Sequence, residues 1–556
     1  MRMLCAAIFI ATLRAATRAH AALDVVVVGA RLGGSSEGGD PAPDGDGTFF
    51  GSGIPVINDS GDVAFYASFT TGSGGTAAIR GNAMPGSLAI VVRQGDPAPD
   101  LNGNFNPLPD ADAPPFNDAG QVVIPATFVN TLGANDRSGI VLGDVSPDQL
   151  VLLARSGQMV DNIELSNILN PPPVLNASGQ VLFSSLVNGA IFLASGGSNT
   201  VVARVNQTAP GGGATFALVT SVPPVINDLG QVAFAPLLST ARYAFMRAEG
   251  STIVQVVHDG DSAPGGGTFD MLLTGVVLNS LALNDVGDLA FEAALKGVMG
   301  DGTMGIFRGH DADHLTAIVH RGDFTPDHNG RLLDFDFSGE AVIAFNDNGQ
   351  AAFRSTLSAS SHGTANDYGI FRGDGNELVE IARKGDTAPG GDGTFTDFDP
   401  PAINDAGQVV FRATLADSTS TQGLYLFDDQ DGLTQVARVG ESILGSPNAR
   451  IQFAPDTSRG RRHTGLNAAG QVAFQFALND GRVGVAVWSP GASMSTTSTS
   501  TVLPTTSTTT TTTTTLPPCD TLRCLIETAT QGPSCADETV PANIAKRLDV
   551  AIARAE

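Results

Sequence analysis

Lysine is nearly missing from this chain: its 556 residues hold only Lys296, Lys384 and Lys546. With 56 acidic residues against 30 basic ones, the formal net charge is −26. That balance argues against a nucleic-acid partner, because a polyanion must be met by clustered Lys and Arg. Cysteine is scarce as well, and the four residues Cys5, Cys519, Cys524 and Cys535 rule out a disulfide-dense scaffold. One Trp and four Tyr leave little for an aromatic sugar-binding face. After the N-terminal region no apolar run approaches the ~20 residues that a membrane-spanning helix needs. What abounds is glycine and proline, 66 and 32 residues, beside an apolar content of 42 % that is ample for a packed core.

The two ends read differently from the middle. Arg2 precedes the apolar run Met3–Leu13, and Ala19-His20-Ala21 offers a small-x-small cleavage site. Residues 1–21 therefore read as a signal peptide and the protein as secreted or attached to the cell surface; a short anchor or a misassigned start are the alternatives. Residues 491–518 form a Thr/Pro-rich linker with unbroken threonine over Thr508–Thr515, which cannot bury apolar area and should be extended and solvated. Residues 519–556 read as a small helical tail, with Ile544, Leu548 and Ile552 at helical spacing. Cys524 and Cys535 could pair there in an oxidising compartment, leaving Cys519 odd. The cysteine spacing is poor for zinc. So small a unit is marginal alone and reads better as an attachment or docking tail.

Between the ends one motif recurs eight times: NDSGDVAF at Asn58, NDAGQVVI at Asn117, NASGQVLF at Asn176, NDLGQVAF at Asn227, NDVGDLAF at Asn284, NDNGQAAF at Asn346, NDAGQVVF at Asn404 and NAAGQVAF at Asn467. Such near-constant spacing, about 58 residues, is the signature of a repeat architecture. Asn, Asp and the fixed Gly form a turn, and a strand apolar on both faces follows. Around the seventh copy, Tyr368–Arg372, Glu377–Arg383, Thr394–Ile403 and Gln408–Leu415 read as the four strands of one unit, with turns between them. Eight such units over residues 22–490 predict an all-β, eight-bladed β-propeller. The rivals are an open array of small sandwiches or a β-solenoid. The first unit lacks a first strand, and Arg482–Trp488 follows the last motif with nothing after it. Pairing of that strand with Leu23–Val28 would close the ring through a shared blade.

These eight copies resemble the NxxGxxAF tandem-repeat family. The resemblance covers about residues 24–490 and implies a secreted or surface-attached bacterial protein with variable C-terminal anchors and no established activity.

Candidate chemistry follows the repeat. The second strand of each unit ends in a basic residue: Arg31, Arg93, Arg155, Arg204, His258, His320, Arg383 and Arg438. These could form an annular site for an anionic or sugar ligand. Alternatively, each could bond the acidic or amide residue three positions on (Asp96, Gln158, Gln207, Asp261, Asp323, Asp386, Glu441) and fix its loop. The following loops carry Asp44 and Asp46, Asp100 and Asn102, and Asp327 and Asn329, which suit calcium or, equally, plain hairpin turns. His310, His314, His320 and His328, with Asp311 and Asp313, offer transition-metal ligands or a solvated loop. Gly34–Gly38 matches G-x-S-x-G formally but lacks a strand-to-helix elbow. After the motif's last apolar residue come Tyr66, Pro125, Ser184, Ala235, Glu292, Arg354, Arg412 and Gln475, where a propeller could individualise a site. The expectation is a monomeric, non-enzymatic module that binds a surface or extracellular partner through its propeller and is tethered by its tail. A polysaccharide hydrolase or lyase and a purely structural surface protein are the alternatives.

Overall fold

The computed structural model describes residues 22–29, 39–108, 113–143, 150–220, 222–271, 281–298, 302–335, 343–390, 393–416, 418–455 and 464–491. Residues 1–21, expected to be a signal peptide, the expected linker from 492 on, the expected tail with its cysteines, Arg31 and the G-x-S-x-G segment lie outside them. The described part is built of β-strands, and its one helical element is a single 3-10 turn at Gly363–Ala365.

Each motif belongs to one antiparallel sheet, and the eight sheets form the blades of a propeller. Blade 7 shows the plan. Thr394–Phe398 is innermost and continues as Ala402–Ile403. Val409–Ala416, Gln422–Asp428 and Gly432–Arg438 follow outward in chain order. The blade frame therefore differs from the expected one by two strands. Tyr368–Gly373 and Leu378–Arg383 are the third and outermost strands of blade 6, beside Arg331–Asp334 and Ala351–Ser358. The reason is the long connection after Arg383, which carries the chain from the outer edge of one blade back to the axis and into the next.

Closure is as the two incomplete ends predict. Ala22–Val28 pairs antiparallel with Val483–Ser489, from Ala22 opposite Ser489 to Val28 opposite Gly484. It forms the outer strand of blade 8, whose other main strands are Ser446–Gln452 and Val472–Leu478. Innermost strands are short in several blades, as Asn104–Phe105 in blade 2, Val174–Leu175 in blade 3 and Thr268–Phe269 in blade 5. In blade 8 this strand runs over seven residues, Ser446–Gln452.

Eight apolar clusters fill the eight seams between adjacent blades. Phe474, Trp488 and Val28 of blade 8 pack with Val410 and Leu424 of blade 7. Across the closing seam Val26, Val27 and Val485 pack with Phe65 and Ile79 of blade 1. The motif's last apolar residue always faces the preceding blade: Phe411 lies with Ile370 of blade 6, and Phe291 with Phe245 of blade 4. Each such phenylalanine contributes about 1.5–3 kcal/mol by leaving water. A strand buried on both faces is the consequence of sitting between two neighbours, hence the unbroken apolar run that opens each second strand.

Candidate functional site

The motif asparagines meet at one end of the propeller and form a closed hydrogen-bonded ring. Asn58 Nδ2 donates to the carbonyl of Asn117, Asn117 to Asn176, and Asn176 to Asn227. The chain of donors continues through Asn284, Asn346, Asn404 and Asn467. It returns across 409 residues when Asn467 Nδ2 donates to Asn58 at 3.0 Å. Each Asn Oδ1 also accepts from the backbone N–H four residues on, as Gln231 N–H does to Asn227 at 2.8 Å. Where that fifth residue is Gln, its Oε1 takes the second amide proton, at 2.9 Å in Asn227. Only a short amide supplies two donors and an acceptor at this geometry, which accounts for Asn at every copy. The motif glycines adopt φ between +73° and +91°. At Gly179 an added Cβ would also lie 2.6 Å from Gln121 Oε1 of the preceding blade. Sequence reasoning found the turn and missed the ring, because each partner lies a whole repeat away.

At the opposite end three arginines of the basic series, Arg93, Arg155 and Arg383, pair with aspartates of the three Asp/Asn loops. Arg93 Nη2 is 2.9 Å from both carboxylate oxygens of Asp44 and sits over the Phe69 ring. Arg155 Nη2 donates to Asp100 at 2.7 Å and lies over Phe128. Arg383 Nη2 reaches Asp327 at 3.3 Å and Glu380 at 2.7 Å. Each arginine thus crosses the end of its blade, from outermost strand to the loop that leads into the innermost one. The third loop residue bonds the turn between second and third strands: Asp46 to Ser73, Asn102 to Leu132 N–H, and Asn329 to Ser361 N–H. Burial works to raise the pKa of Asp327, but hydrogen bonds from Thr325 and Asn329 and the Arg383 charge hold it below the ordinary value.

The residue three positions on caps backbone rather than guanidinium. Asp96 accepts from Arg93 N–H at 2.7 Å, and Asp386 from Arg383 N–H at 2.9 Å. Gln158, Gln207, Asp261, Asp323 and Glu441 do the same for Arg155, Arg204, His258, His320 and Arg438. Where the loop reads APGGG, before the innermost strands of blades 4 and 5, the arginine position is His258 or His320. His258 Nδ1 lies 2.5 Å from Asp261. Arg204 is exposed, and Arg438 is buried with Nη2 on Ser418 at 3.2 Å. Beside the Arg383 network, burial is the main cause raising Glu380 to about 7; Asp327 and Asp386 add to it, and Arg383 opposes it.

Symmetry breaks nearer the axis. The residue after the motif's last apolar position is Tyr66, Pro125, Ser184 or Ala235 in blades 1 to 4 and Glu292, Arg354, Arg412 or Gln475 in blades 5 to 8. The last three reach the innermost strand of the next blade: Arg354 to Phe398 O and Arg412 to Ile451 O, both at 2.9 Å, and Gln475 to Ser52 O. Arg412 also bonds Asp399. Glu292 instead approaches an acid, Asp334 of blade 6. It is 1 % exposed, its Oε1 finds no hydrogen-bond partner among the described residues, and burial foremost, then Asp334, pushes its pKa well up. The result is an arc of charged and amide groups on four consecutive blades, opposite four blades that present mostly small or uncharged side chains.

The histidine-rich turn of blade 5 stands at the asparagine-ring end. His310, Asp311 and His314 bring one ligand atom each within 4.8 Å of one another. The imidazoles stack at 4.7 Å. His314 Nδ1 is 2.7 Å from Asp311, whose hydrogen bond and charge raise the pKa of His314. His320 and His328 lie away from this cluster, at the opposite end.

Among the described residues no helix is long and apolar enough to cross a membrane. Solved structures with some likeness include the virginiamycin B lyase of Staphylococcus aureus, 12 % identical over 67 % of this chain and 92 % of that one at a TM-score of 0.27. The propeller domain of the Trilobed protease from Pyrococcus furiosus is 10 % identical over 69 % and 98 %, at 0.35. A structure described as a prolyl endopeptidase is 10 % identical over 77 % and 55 %, at 0.39. Strand pairing and the closed ring define the propeller. No curated protein is similar in sequence. A family model, the family of unknown function DUF7453, matches residues 29–190, 185–374 and 244–492. Those matches span most of the chain, which therefore belongs to the DUF7453 family.

Proposed function

We propose that this protein is an exported binding module whose propeller holds a polar ligand near its axis, on blades 6 and 7, and whose residues 491–556 tether it. The observation that supports this reading is the pair Arg354 and Arg412, the two arginines at a position that holds Tyr66, Pro125, Ser184 or Ala235 in blades 1 to 4. Arg354 and Arg412 are half-buried and fixed in place, Arg354 by Phe398 O and Arg412 by Ile451 O and the Asp399 carboxylate. Planar donors held in this way suit carboxylate, sulfate or sugar hydroxyl groups. A glycosidase reading would use the carboxyl pair Glu292 and Asp334. Glu292, however, is sealed between blades and out of reach of a polymer.

The test is co-sedimentation of the full chain with insoluble acidic and neutral polysaccharides, pectate and cellulose, beside the R354M/R412M variant. Retention on pectate that falls at least tenfold in the variant supports the reading. Equal retention of both proteins, or none, defeats it. Export is tested separately, by fractionating cells that express the chain with and without residues 1–21.

A further inference from the structure

Blade 5 departs from the others at one pair of positions. In blades 4, 7 and 8 the fifth motif residue is Gln231, Gln408 or Gln471, and its Nε2 donates to Glu249, Asp428 or Ser489 at the end of the third strand. In blade 1 the polarity is reversed, and Asn82 donates to Asp62 at 2.6 Å. Blade 5 also has an acid, Asp288, but its partner is an imidazole: His310 Nδ1 is 2.7 Å from Asp288 Oδ1. The other carboxylate oxygen accepts from Arg308 at 3.1 Å.

That contact sets the chemistry of the ring. In the neutral imidazole, Asp288 as acceptor places the proton on Nδ1 and leaves the Nε2 lone pair available to a metal. Nε2 faces Asp311, 3.6 Å away, and Asp311 in turn contacts His314 Nδ1. A carboxylate behind a histidine whose second nitrogen points at further ligands is the outer-shell arrangement of metal-binding histidines. Ligand atoms about 2.0–2.2 Å from a tetrahedral ion lie roughly 3.3 Å apart. The cluster, already within 4.8 Å, needs only small side-chain adjustments on a partly exposed turn to reach that spacing. Two imidazoles and one carboxylate select a borderline ion of the zinc, nickel or copper(II) class over calcium.

We propose that His310, Asp311 and His314 bind one such divalent transition ion, with Asp288 orienting His310. Three protein ligands leave at least one coordination position to water or to a group from a partner.

The experiment is calorimetric titration of Zn²⁺ into the full chain, with affinity tags removed, cysteines alkylated and metal stripped by a chelator. One zinc ion per chain is expected. Asp288→Asn keeps every ligand and should weaken binding by about 10–100-fold. The H310A/H314A variant should lose the site. Melting of each variant in chelator, expected to match the parent, separates loss of the site from loss of the fold, and H314Q serves if the double variant melts early. Failure of the parent to take up zinc overturns the proposal. So does uptake unaffected by H310A/H314A, and affinity unchanged in D288N overturns the role given to Asp288.

Discussion

Truncation of Asn227 to alanine isolates the asparagine ring. The side chain is fully buried and makes three hydrogen bonds: to Asn284 O at 2.9 Å, to Gln231 Oε1 at 2.9 Å, and from Gln231 N–H at 2.8 Å. At about 1 kcal/mol each, their loss should cost about 3 kcal/mol, because the former partners stay buried. Asn58 is the internal control. Its fifth residue is Asp62, so it makes a 3.3 Å bond to Asn117 O and accepts from Asp62 N–H at 2.9 Å. Asn58→Ala should therefore cost about 2 kcal/mol. Asn227→Asp, nearly isosteric, removes both donors and points a carboxylate oxygen at a carbonyl; it should be at least as damaging as alanine. Thermal unfolding at fixed scan rate should rank the melting temperatures wild type, N58A, N227A, N227D in falling order. If N227A melts with wild type, or if N58A falls as far as N227A, the hydrogen bonds are not what holds the ring.

Three further outcomes follow from the same geometry. Replacing Arg155 by Met keeps the packing on Phe128 but deletes the bonds to Asp100 and Asp136 O; stability should drop by about 1–2 kcal/mol, with a double-mutant cycle against D100N showing a coupling near 1 kcal/mol. Glu380, raised to about 7 in the folded protein from an ordinary value of 4.5, binds more protons folded than unfolded between those values. Its contribution to stability is therefore present at low pH and lost as pH rises from about 4.5 to 7, and E380Q should flatten the melting profile across that window. A steeper profile in E380Q would reverse the assignment. Val27→Asp places a charge in the closing seam, where Val27 is 1 % exposed, and should abolish cooperative melting or cost more than about 3 kcal/mol; proteolysis should then cut first near the ends of the ring.

The repeat, the blade count and the closing strand were legible because each rests on a pattern within a few residues or on an incomplete unit at either end. Contacts across a whole repeat were not. Arg93 has an acid three residues on, and proximity along the chain made Asp96 the obvious partner. The guanidinium instead spans the blade end to Asp44, 49 residues earlier, while Asp96 serves the backbone. The blade frame went astray for a related reason: a long Gly/Pro connection looks the same in sequence whether it folds back within a sheet or crosses to the next. The Asp288–His310 pair was hidden differently. An acid at the fifth motif position looks like ordinary drift until its neighbour on the third strand is seen to be an imidazole.

The asparagine circuit also has a direction. Every side chain donates to the next copy and none to the previous one, so the eight links form a directed cycle without a first or last member. The strand pair that closes the ring, Ala22–Val28 against Val483–Ser489, takes no part in that cycle, whose last link runs from Asn467 to Asn58. A circular permutant that joins residue 491 to residue 22 and opens between blades 6 and 7, in the connection after Arg383, keeps every link.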